Sequence, residues 1–192
     1  MDTIKAIKTR RTIRKFKQEP IPTETLLSIV DAARMAPQGS NRQPMCYCII
    51  TDPDMVAAIF THVRWAGAIA PNGNPLPGEE PMAYVLLLHD SSITKGGDVD
   101  AGAVGATFLL AAHALGVGAC WMGAINRPEI AQLAGVAEPY TLHTLFAMGY
   151  PAESPTAEEA TDSVVYYKDE NGTLHVPKRP LDQIVFYNGM KR

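Results

Sequence analysis

Residues 101–125 contain no Asp, Glu, Lys or Arg, and this charge-free stretch constrains the fold more than any other feature of the chain. It is long enough to cross a bilayer as a helix. However, it is rich in Gly and Ala rather than Leu and Ile, carries His113 at its centre, and is interrupted by Gly116 and Gly118, which are typical of a helix C-terminus. The stretch therefore predicts a fully buried helix followed by a strand, and we reject a membrane span.

Helical and extended patterns mix along the rest of the 192 residues, a length that suits one domain. Residues 71–81 hold four of the 15 prolines and predict a loop. Such a mixture favours a single layered domain over residues 1–192, of the α+β or α/β class. Helices are predicted around Ile4 and Ile7 and over residues 23–36, 54–68, 98–115 and 127–136; strands are predicted over 46–51, 84–89, 118–124 and 144–149, and a short terminal element over 181–186.

Polar residues mark the starts of the two helices on either side of the predicted strand 118–124. Asp98 or Asp100 is expected to cap the helix that precedes it. Asn126, with Glu129 three residues later, resembles a capping box at the start of the helix that follows.

The composition is typical of a folded globular protein, with 46% hydrophobic and 19% charged residues and a formal net charge of −3. A surface for nucleic acid or for anionic membranes needs a broad positive field, so neither partner is expected. Cys46, Cys48 and Cys120 form no CxxC motif and predict neither a disulfide framework nor a thiolate zinc site. Because the first residues also lack the apolar core of a secretory signal, we expect a cytoplasmic protein.

Residues 8–16, KTRRTIRKF, concentrate positive charge in a chain that is acidic overall. Arg10, Arg11 and Arg14 offer guanidinium groups that match the geometry of a phosphate, and Thr12 adds a hydroxyl. The segment therefore predicts a phosphate site, although a solvated basic end of the first helix would give the same pattern.

A second basic pair, Lys178 and Arg179, lies near the other end of the chain in VPKRPLDQI. These two side chains could complete a phosphate site, but only if the fold brings them to the first cluster. Taken alone, they are typical surface charges.

Two further segments could contact a planar ligand. Residues 36–44, APQGSNRQP, offer amide groups that suit the edge of a heterocycle such as a flavin or pyrimidine, or ordinary turn chemistry. Gly123 could let backbone N–H groups approach a ring closely. Its neighbours Trp121 and Met122 suit a plain core equally well.

Motifs for other cofactors and nucleophiles are missing from the sequence. Gly116 and Gly118 begin a pattern similar to GxGxxG, but Trp121 stands in place of the third glycine, so a Rossmann fingerprint is absent. The chain has no GxxxxGK[ST] and no GxSxG, and its five histidines lack metal-ligand spacing. We therefore predict neither a metal site nor a catalytic protein nucleophile.

Five segments in this order resemble the nitroreductase family of FMN-dependent oxidoreductases. The resemblance implies an α+β nitroreductase-like fold with a central mixed, mostly antiparallel sheet flanked by helices, and a substrate-pocket excursion over residues 62–82. It also implies an intertwined homodimer with two FMN molecules at the subunit interface. The segments are RRTIRKF, AARMAPQGSNRQPMCYCII, LLAAHALGVGACWMG, LFAMGYPAESP and KRPLDQIV, and they are spread along the chain from residue 10 to residue 185.

The same resemblance implies a set of flavin contacts. Arg14 or Arg10 would stabilise negative charge on the flavin, and Arg64 and Trp65 would shape the substrate pocket. The implied cofactor-binding residues are Arg10, Arg11, Thr12 and Arg14 for phosphate, ribityl and ring, Lys178 and Arg179 for the phosphate, Pro37, Gln38, Gly39 and Asn41 for the ring from the partner subunit, and Met122 and Gly123 for the ring face.

In the ping-pong mechanism that the resemblance implies, NADH or NADPH delivers hydride to flavin N5 and leaves. A nitroaromatic, quinone or related acceptor then takes the electrons in the same pocket, so the flavin rather than a protein nucleophile carries the chemistry. Two alternatives stay open: specialised flavin chemistry on the same fold, such as reductive dehalogenation or flavin fragmentation, and a flavin-binding redox sensor without turnover.

Overall fold

A five-stranded sheet forms the centre of the computed structural model, which describes residues 2–190. Residues 1, 191 and 192, which the predicted domain includes, lie outside the described residues. The strands are β1 (Phe16–Lys17), β2 (Met45–Ile50), β3 (Ala83–Asp90), β4 (Gly118–Met122) and β5 (Tyr140–Pro151). All strand pairs in this sheet are antiparallel. On one edge β5 pairs with β3, which pairs in turn with β2, and on its other edge β5 pairs with β4 and with β1.

Helices cover both faces of the sheet. Because neighbouring strand residues point to opposite faces, β3 packs Val85 and Leu87 into one core and Tyr84 and Leu86 into the other. The helices are α1 (Thr3–Thr9), α2 (Thr23–Ala33), α3 (Pro53–Phe60), α4 (Asp98–Ala114) and α5 (Arg127–Leu133), with α2 and α4 in the first core and α3 and α5 in the second. The predicted α+β fold, a mostly antiparallel sheet flanked by helices, is confirmed.

The helix predicted over residues 54–68 is wrong in its second half. It ends at Phe60, and Val63 instead forms an antiparallel bridge with Ile125. Two backbone hydrogen bonds hold this bridge, from Arg64 N to Ala124 O at 3.0 Å and from Asn126 N to His62 O at 2.8 Å. Pairing with the segment after β4 therefore outweighs the local helical pattern.

The predicted cap of α4 is also wrong. The N-cap position of α4 is Gly97, and the side chain of Asp100 bonds outside its own helix. Asn126 occupies the predicted N-cap position of α5, but its side chain makes no capping hydrogen bond there.

The expectation of a fully buried helix over the charge-free stretch is not met within the chain. Only one face of α4 packs into the core, through Val104 and Phe108 among others, whereas Val99 is 87% exposed and Ala106 is exposed. The apolar composition of α4 thus exceeds what its own core requires.

A second, three-stranded sheet near the C-terminus was not predicted from the sequence. Its strands β6 (Thr156–Glu159), β7 (Tyr167–Lys168) and β8 (Leu174–Lys178) are short and largely polar, with β8 in the middle, parallel to β6 and antiparallel to β7. The predicted terminal element over 181–186 is a single 3-10 turn, Leu181–Gln183. Among residues 2–190, none of the helices combines the length and the hydropathy that crossing a bilayer requires.

Candidate functional site

The basic segment that follows α1 lies against β4 and β5. Ile13 N donates to Ala119 O at 3.1 Å, and Ala152 N donates to Lys15 O at 2.9 Å. Two glycines permit this close approach: a Cβ on Gly118 would lie 2.9 Å from Ile13, and a Cβ on Gly149 would lie 2.7 Å from Phe16. The positions of the arginines in this segment are thus fixed by the sheet.

Arg10 and Arg11 line a cleft of about 390 Å³, which we call the arginine cleft. Burial lowers the pKa of Arg10, and burial together with the charge of Arg10 lowers the pKa of Arg11. Across residues 2–190, no carboxylate forms an ion pair with either side chain. Two adjacent, partly buried and uncompensated cations favour an anionic ligand. The cleft is completed by Thr9, Ile13, Leu109, His113, Gly116, Val117, Gly118, Ala119, Pro151, Glu153, Ser154 and Pro155.

The two arginines differ in what their side chains contact. The guanidinium of Arg11 donates to the carbonyl oxygens of Arg10 and Lys8, so it braces the segment, and its Nε is buried without a described partner. The side chain of Arg10 makes no hydrogen bond within the described chain. Arg10 is therefore the guanidinium that is available to a phosphate. Thr12 follows in the segment and is half-buried.

His113 and Glu153 also reach the arginine cleft. His113 Nε2 lies 2.9 Å from Thr9 Oγ1, and burial, followed by the positive charges of Arg10 and Arg11, lowers the pKa of its imidazole. Glu153 directs a carboxylate oxygen to the backbone N–H of Arg14 at 2.6 Å. The carboxylate thus holds the segment rather than pairing with a cation in the cleft.

A second cavity of about 170 Å³, the Trp65 cavity, opens beyond Arg14. The guanidinium carbon of Arg14 lies 5.3 Å from the ring centroid of Tyr166, a cation–π arrangement. Trp65 is 7% exposed, and its indole N–H has no acceptor within the described residues. Buried donors without a partner are uncommon in folded proteins. The cavity is lined by Arg14, Arg64, Trp65, Ala66, Gly67, Cys120, Trp121, Met122, Gly123, Ala124 and Tyr166.

Cys120 is the one thiol in the Trp65 cavity lining, and it is not activated. Burial raises its pKa to about 11, and the nearby guanidinium of Arg14 only partly opposes this effect. The thiol therefore stays protonated at neutral pH, whereas a nucleophilic cysteine needs a lowered pKa.

Met122 and Gly123 lie where β4 ends, on the wall of the Trp65 cavity. The preceding Trp121 is fixed by a hydrogen bond from its Nε1 to Thr144 Oγ1 at 2.8 Å. On its other side it contacts α4 so closely that a Cβ on Gly105 would lie 2.5 Å from the indole. The strand end is thus anchored by a rigid aromatic contact.

The loop with Pro37, Gln38, Gly39 and Asn41 lines neither the arginine cleft nor the Trp65 cavity of its own chain. It contains a 3-10 turn over Gly39–Asn41, and Gly39 N donates to Asp100 Oδ1 at 2.7 Å. These four predicted residues are therefore separate from the rest of the site within one chain.

Lys178 and Arg179 are exposed and line neither of the two cavities. The guanidinium of Arg179 donates to Gln183 O at 3.0 Å, within its own segment. Strand β6 begins at Thr156, directly after the cleft residue Pro155. Lys178 lies opposite Glu159, three residues further along that strand. At about 3.3 Å per residue, Lys178 lies roughly 10 Å along the strand from that point. The structure thus does not bring the two basic clusters together in one cleft.

Three contacts at the site were missed by sequence reasoning. Glu153 lies in the segment LFAMGYPAESP, but its partner Arg14 is 139 residues away, and Asp100 is 61 residues from Gly39. Tyr166 follows a polar stretch with no periodic pattern. The described residues contain no group of three or more His, Cys, Asp or Glu side chains placed to hold a metal ion.

Comparison with known proteins matches residues 7–150 to the nitroreductase family model. A protein of Methanothermobacter thermautotrophicus, described as a candidate NADH dehydrogenase or NAD(P)H nitroreductase, is 33% identical over 169 residues, 84% of each chain. A shorter match of 51 residues, 43% identical, links 27% of this chain with 19% of the iodotyrosine deiodinase of Nematostella vectensis.

Among solved structures, a protein from Desulfovibrio desulfuricans, described as a nitroreductase in complex with FMN, superimposes with a TM-score of 0.69 at 27% identity. That alignment covers 100% of this chain and 99% of the other. Together with the match of the family model over most of the sequence, this likeness establishes that the chain belongs to the nitroreductase family.

Proposed function

We propose that the protein is an FMN-dependent oxidoreductase that passes electrons from NADH or NADPH to nitroaromatic, quinone or related acceptors by a ping-pong mechanism. The family assignment, the nitroreductase relatives and the FMN complex of the Desulfovibrio protein support the NAD(P)H-dependent, FMN-using class. The observation that carries the proposal is the uncompensated pair Arg10 and Arg11 in a cleft, on the same short segment that reaches the Trp65 cavity through Arg14.

The described residues fit an FMN molecule. Arg10 in the arginine cleft suits the phosphate, because charge-assisted hydrogen bonds from guanidinium groups are strong and geometrically specific. Arg14, Met122 and Gly123 line the adjoining Trp65 cavity and suit the ring. The backbone N–H of Arg14 is bonded to Glu153 of the arginine cleft, and Arg14 itself lines the Trp65 cavity. One short segment therefore contributes to both cavities.

Bound FMN would accept hydride from the reduced nicotinamide at N5 and pass electrons to an acceptor. The chain's own residues bind, orient and supply charge. Arg14 would place a cation at the ring, where it favours negative charge on the flavin. The thiol of Cys120 stays protonated and supplies no nucleophile there.

The acceptor would bind in the Trp65 cavity, over residues of the 62–82 excursion. Arg64 is exposed and lines this cavity, and the indole N–H of Trp65 lacks a described acceptor. Nitro and quinone oxygens accept hydrogen bonds, so they match a wall whose polar groups are mainly donors. The Tyr166 ring adds an aromatic surface on which a planar acceptor can pack.

A homodimer would complete this site. The exposed apolar residues of α1, α2 and α4, such as Ile4, Leu27 and Val99, would be buried by a second copy. In such a dimer the loop with Pro37, Gln38, Gly39 and Asn41, which lies apart from the site of its own chain, would contact the flavin held by the partner. Lys178 and Arg179 would supply further charge at the phosphate, after a rearrangement of the exposed segment that carries them. We propose a cytoplasmic location, which the free cysteines suit.

Reductive dehalogenation is the second candidate, favoured by the 51-residue match to an iodotyrosine deiodinase.

Anaerobic addition of NADH or NADPH to the FMN-loaded protein tests the first proposal. The account predicts that the flavin colour is bleached and then restored by 4-nitrobenzoate or a quinone. A flavin that is never reduced by either nicotinamide would indicate a redox sensor. A reduced flavin restored only by a halogenated phenol would favour the second candidate.

A further inference from the structure

Asp100 uses its side chain in a way that its own helix does not explain. It lies in the first turn of α4, where a carboxylate usually caps the helix or faces its N-terminus. Instead it is 9% exposed, and its Oδ1 accepts a hydrogen bond from Gly39 N at 2.7 Å. We infer that Asp100 is a positioning residue for the flavin site, because its carboxylate fixes the loop over residues 37–41. The inference rests on the proposed function, in which this loop contacts the partner's flavin.

The loop needs such a hold because its backbone is strained. Ser40, Asn41 and Gln43 have φ values of 51°, 53° and 55°, in the left-handed region that favours glycine. Such a conformation is unfavourable for a residue with a side chain and persists only where surrounding contacts impose it. One hydrogen bond within the loop stabilises this conformation: Gln43 Nε2 donates to Asn41 Oδ1 at 3.1 Å. The contact from Asp100 is the one that ties the loop to a helix.

The contact depends on the backbone N–H of Gly39 rather than on the absence of a side chain. A Cβ at this position would lie 3.6 Å from Asp100 Oδ1, an ordinary van der Waals distance. A hydrogen bond to a buried carboxylate is strong, and its loss leaves a buried charge unsatisfied. The neighbouring Gln38 has an amide oxygen that is buried without a described donor.

The position of Asp100 also connects two parts of the proposed assembly. The same first turn of α4 carries Val99, which is 87% exposed and belongs to the apolar surface proposed for the homodimer. Asp100 therefore ties the flavin-contacting loop to the helix on which a partner subunit would pack.

Variants of Asp100 and Gly39 test the inference by FMN titration and by the circular dichroism of the bound flavin. Asp100→Ala removes the acceptor, whereas Asp100→Asn keeps an oxygen at the same place. Gly39→Pro removes the donor, and the extended backbone of Gln38 tolerates a following proline. Asp98→Ala, an exposed change in the same helical turn, controls for the lost charge.

We expect Asp100→Ala and Gly39→Pro each to weaken FMN binding about tenfold and to change the flavin dichroism. Asp100→Asn and Asp98→Ala should stay within about threefold of wild type, by the same energies. If Asp100→Ala does not fold, Gly39→Pro decides the question. Wild-type binding and dichroism in Asp100→Ala or Gly39→Pro would overturn the inference alone. Wild-type protein that binds no FMN would overturn the proposed function and the inference together.

Discussion

The backbone N–H of Arg14 donates a hydrogen bond to the carboxylate of Glu153 at 2.6 Å, and this contact fastens the basic N-terminal segment to the turn after β5. Glu153 lines the arginine cleft, whereas the side chain of Arg14 lines the Trp65 cavity. This hydrogen bond therefore helps the sheet contacts to hold the segment that reaches both cavities in which we place the FMN phosphate and ring.

Loss of this contact should lower stability. Glu153→Ala is expected to reduce the free energy of unfolding by about 1.5–3 kcal/mol, the usual range for a hydrogen bond to a charged group. Glu153→Gln, which keeps an acceptor oxygen, should cost less. Urea unfolding measures both, with the exposed Glu19→Ala as control. Equal effects of Glu153→Ala and Glu19→Ala would contradict the assignment.

Two glycines under the basic segment should tolerate no side chain. Gly118→Ala and Gly149→Ala would place a Cβ 2.9 Å from Ile13 and 2.7 Å from Phe16, inside normal contact distance. Overpacking of this kind typically costs about 1–3 kcal/mol in the free energy of unfolding. Gly96→Ala, with nothing within 4 Å of its added Cβ, is the control and should be nearly neutral. Thermal and urea unfolding measure all three variants, and equal stability of the three would contradict the close approach.

The pH dependence of stability should carry a signature of His113. Burial and the charges of Arg10 and Arg11 lower the pKa of His113 below its usual 6.5. Below pH 6.5 the unfolded chain therefore binds a proton that the folded chain does not, until the folded pKa is reached. The free energy of unfolding should fall through this window as the pH falls, and His113→Gln should flatten the fall. Urea unfolding of the FMN-free protein at a series of pH values tests this, and identical slopes in the two proteins would count against it.

The charge of Arg64 should favour anionic acceptors. An exposed guanidinium contributes roughly 0.5–1 kcal/mol to a nearby carboxylate. Arg64→Gln should therefore lower kcat/KM for 4-nitrobenzoate about threefold and leave neutral 4-nitrobenzamide almost unchanged. Arg42→Gln, an exposed change outside the Trp65 cavity, should affect neither acceptor. A parallel loss on both acceptors would show that Arg64 acts on something other than substrate charge.

The parts of the fold that were predictable are those with a strong local pattern. The run YVLLLH predicted β3, because a strand buried on both faces is continuously apolar. The false extension of α3 beyond Phe60 arose because Val63 pairs with Ile125, a contact that no local pattern contains. The same limit applies to the site. The chemistry of Arg10 and Arg14 is visible in the segment itself, but the contacts of Asp100 and Glu153 span 61 and 139 residues.

The small C-terminal sheet shows a second limit. Its strands carry few apolar residues, and ionic contacts hold them instead: His175 Nδ1 lies 2.7 Å from Glu158 Oε2, and the ring stacks on Tyr167 with centroids 4.9 Å apart. Hydrophobic periodicity cannot reveal strands that are stabilised in this way. Lys178 is the last residue of β8 and Arg179 follows it, so the predicted place of this exposed pair at a phosphate depends on contacts that a single sequence does not specify.

Equilibrium titration of the FMN-free protein with FMN and with riboflavin tests the central claim most directly, because the two ligands differ only in the phosphate. The account predicts one FMN per chain, bound about tenfold or more tightly than riboflavin, since each charge-assisted bond to the phosphate contributes about 1.5–3 kcal/mol. Arg10→Gln should close most of that gap. Equal affinity for the two ligands in the wild-type protein would contradict a phosphate site in the arginine cleft.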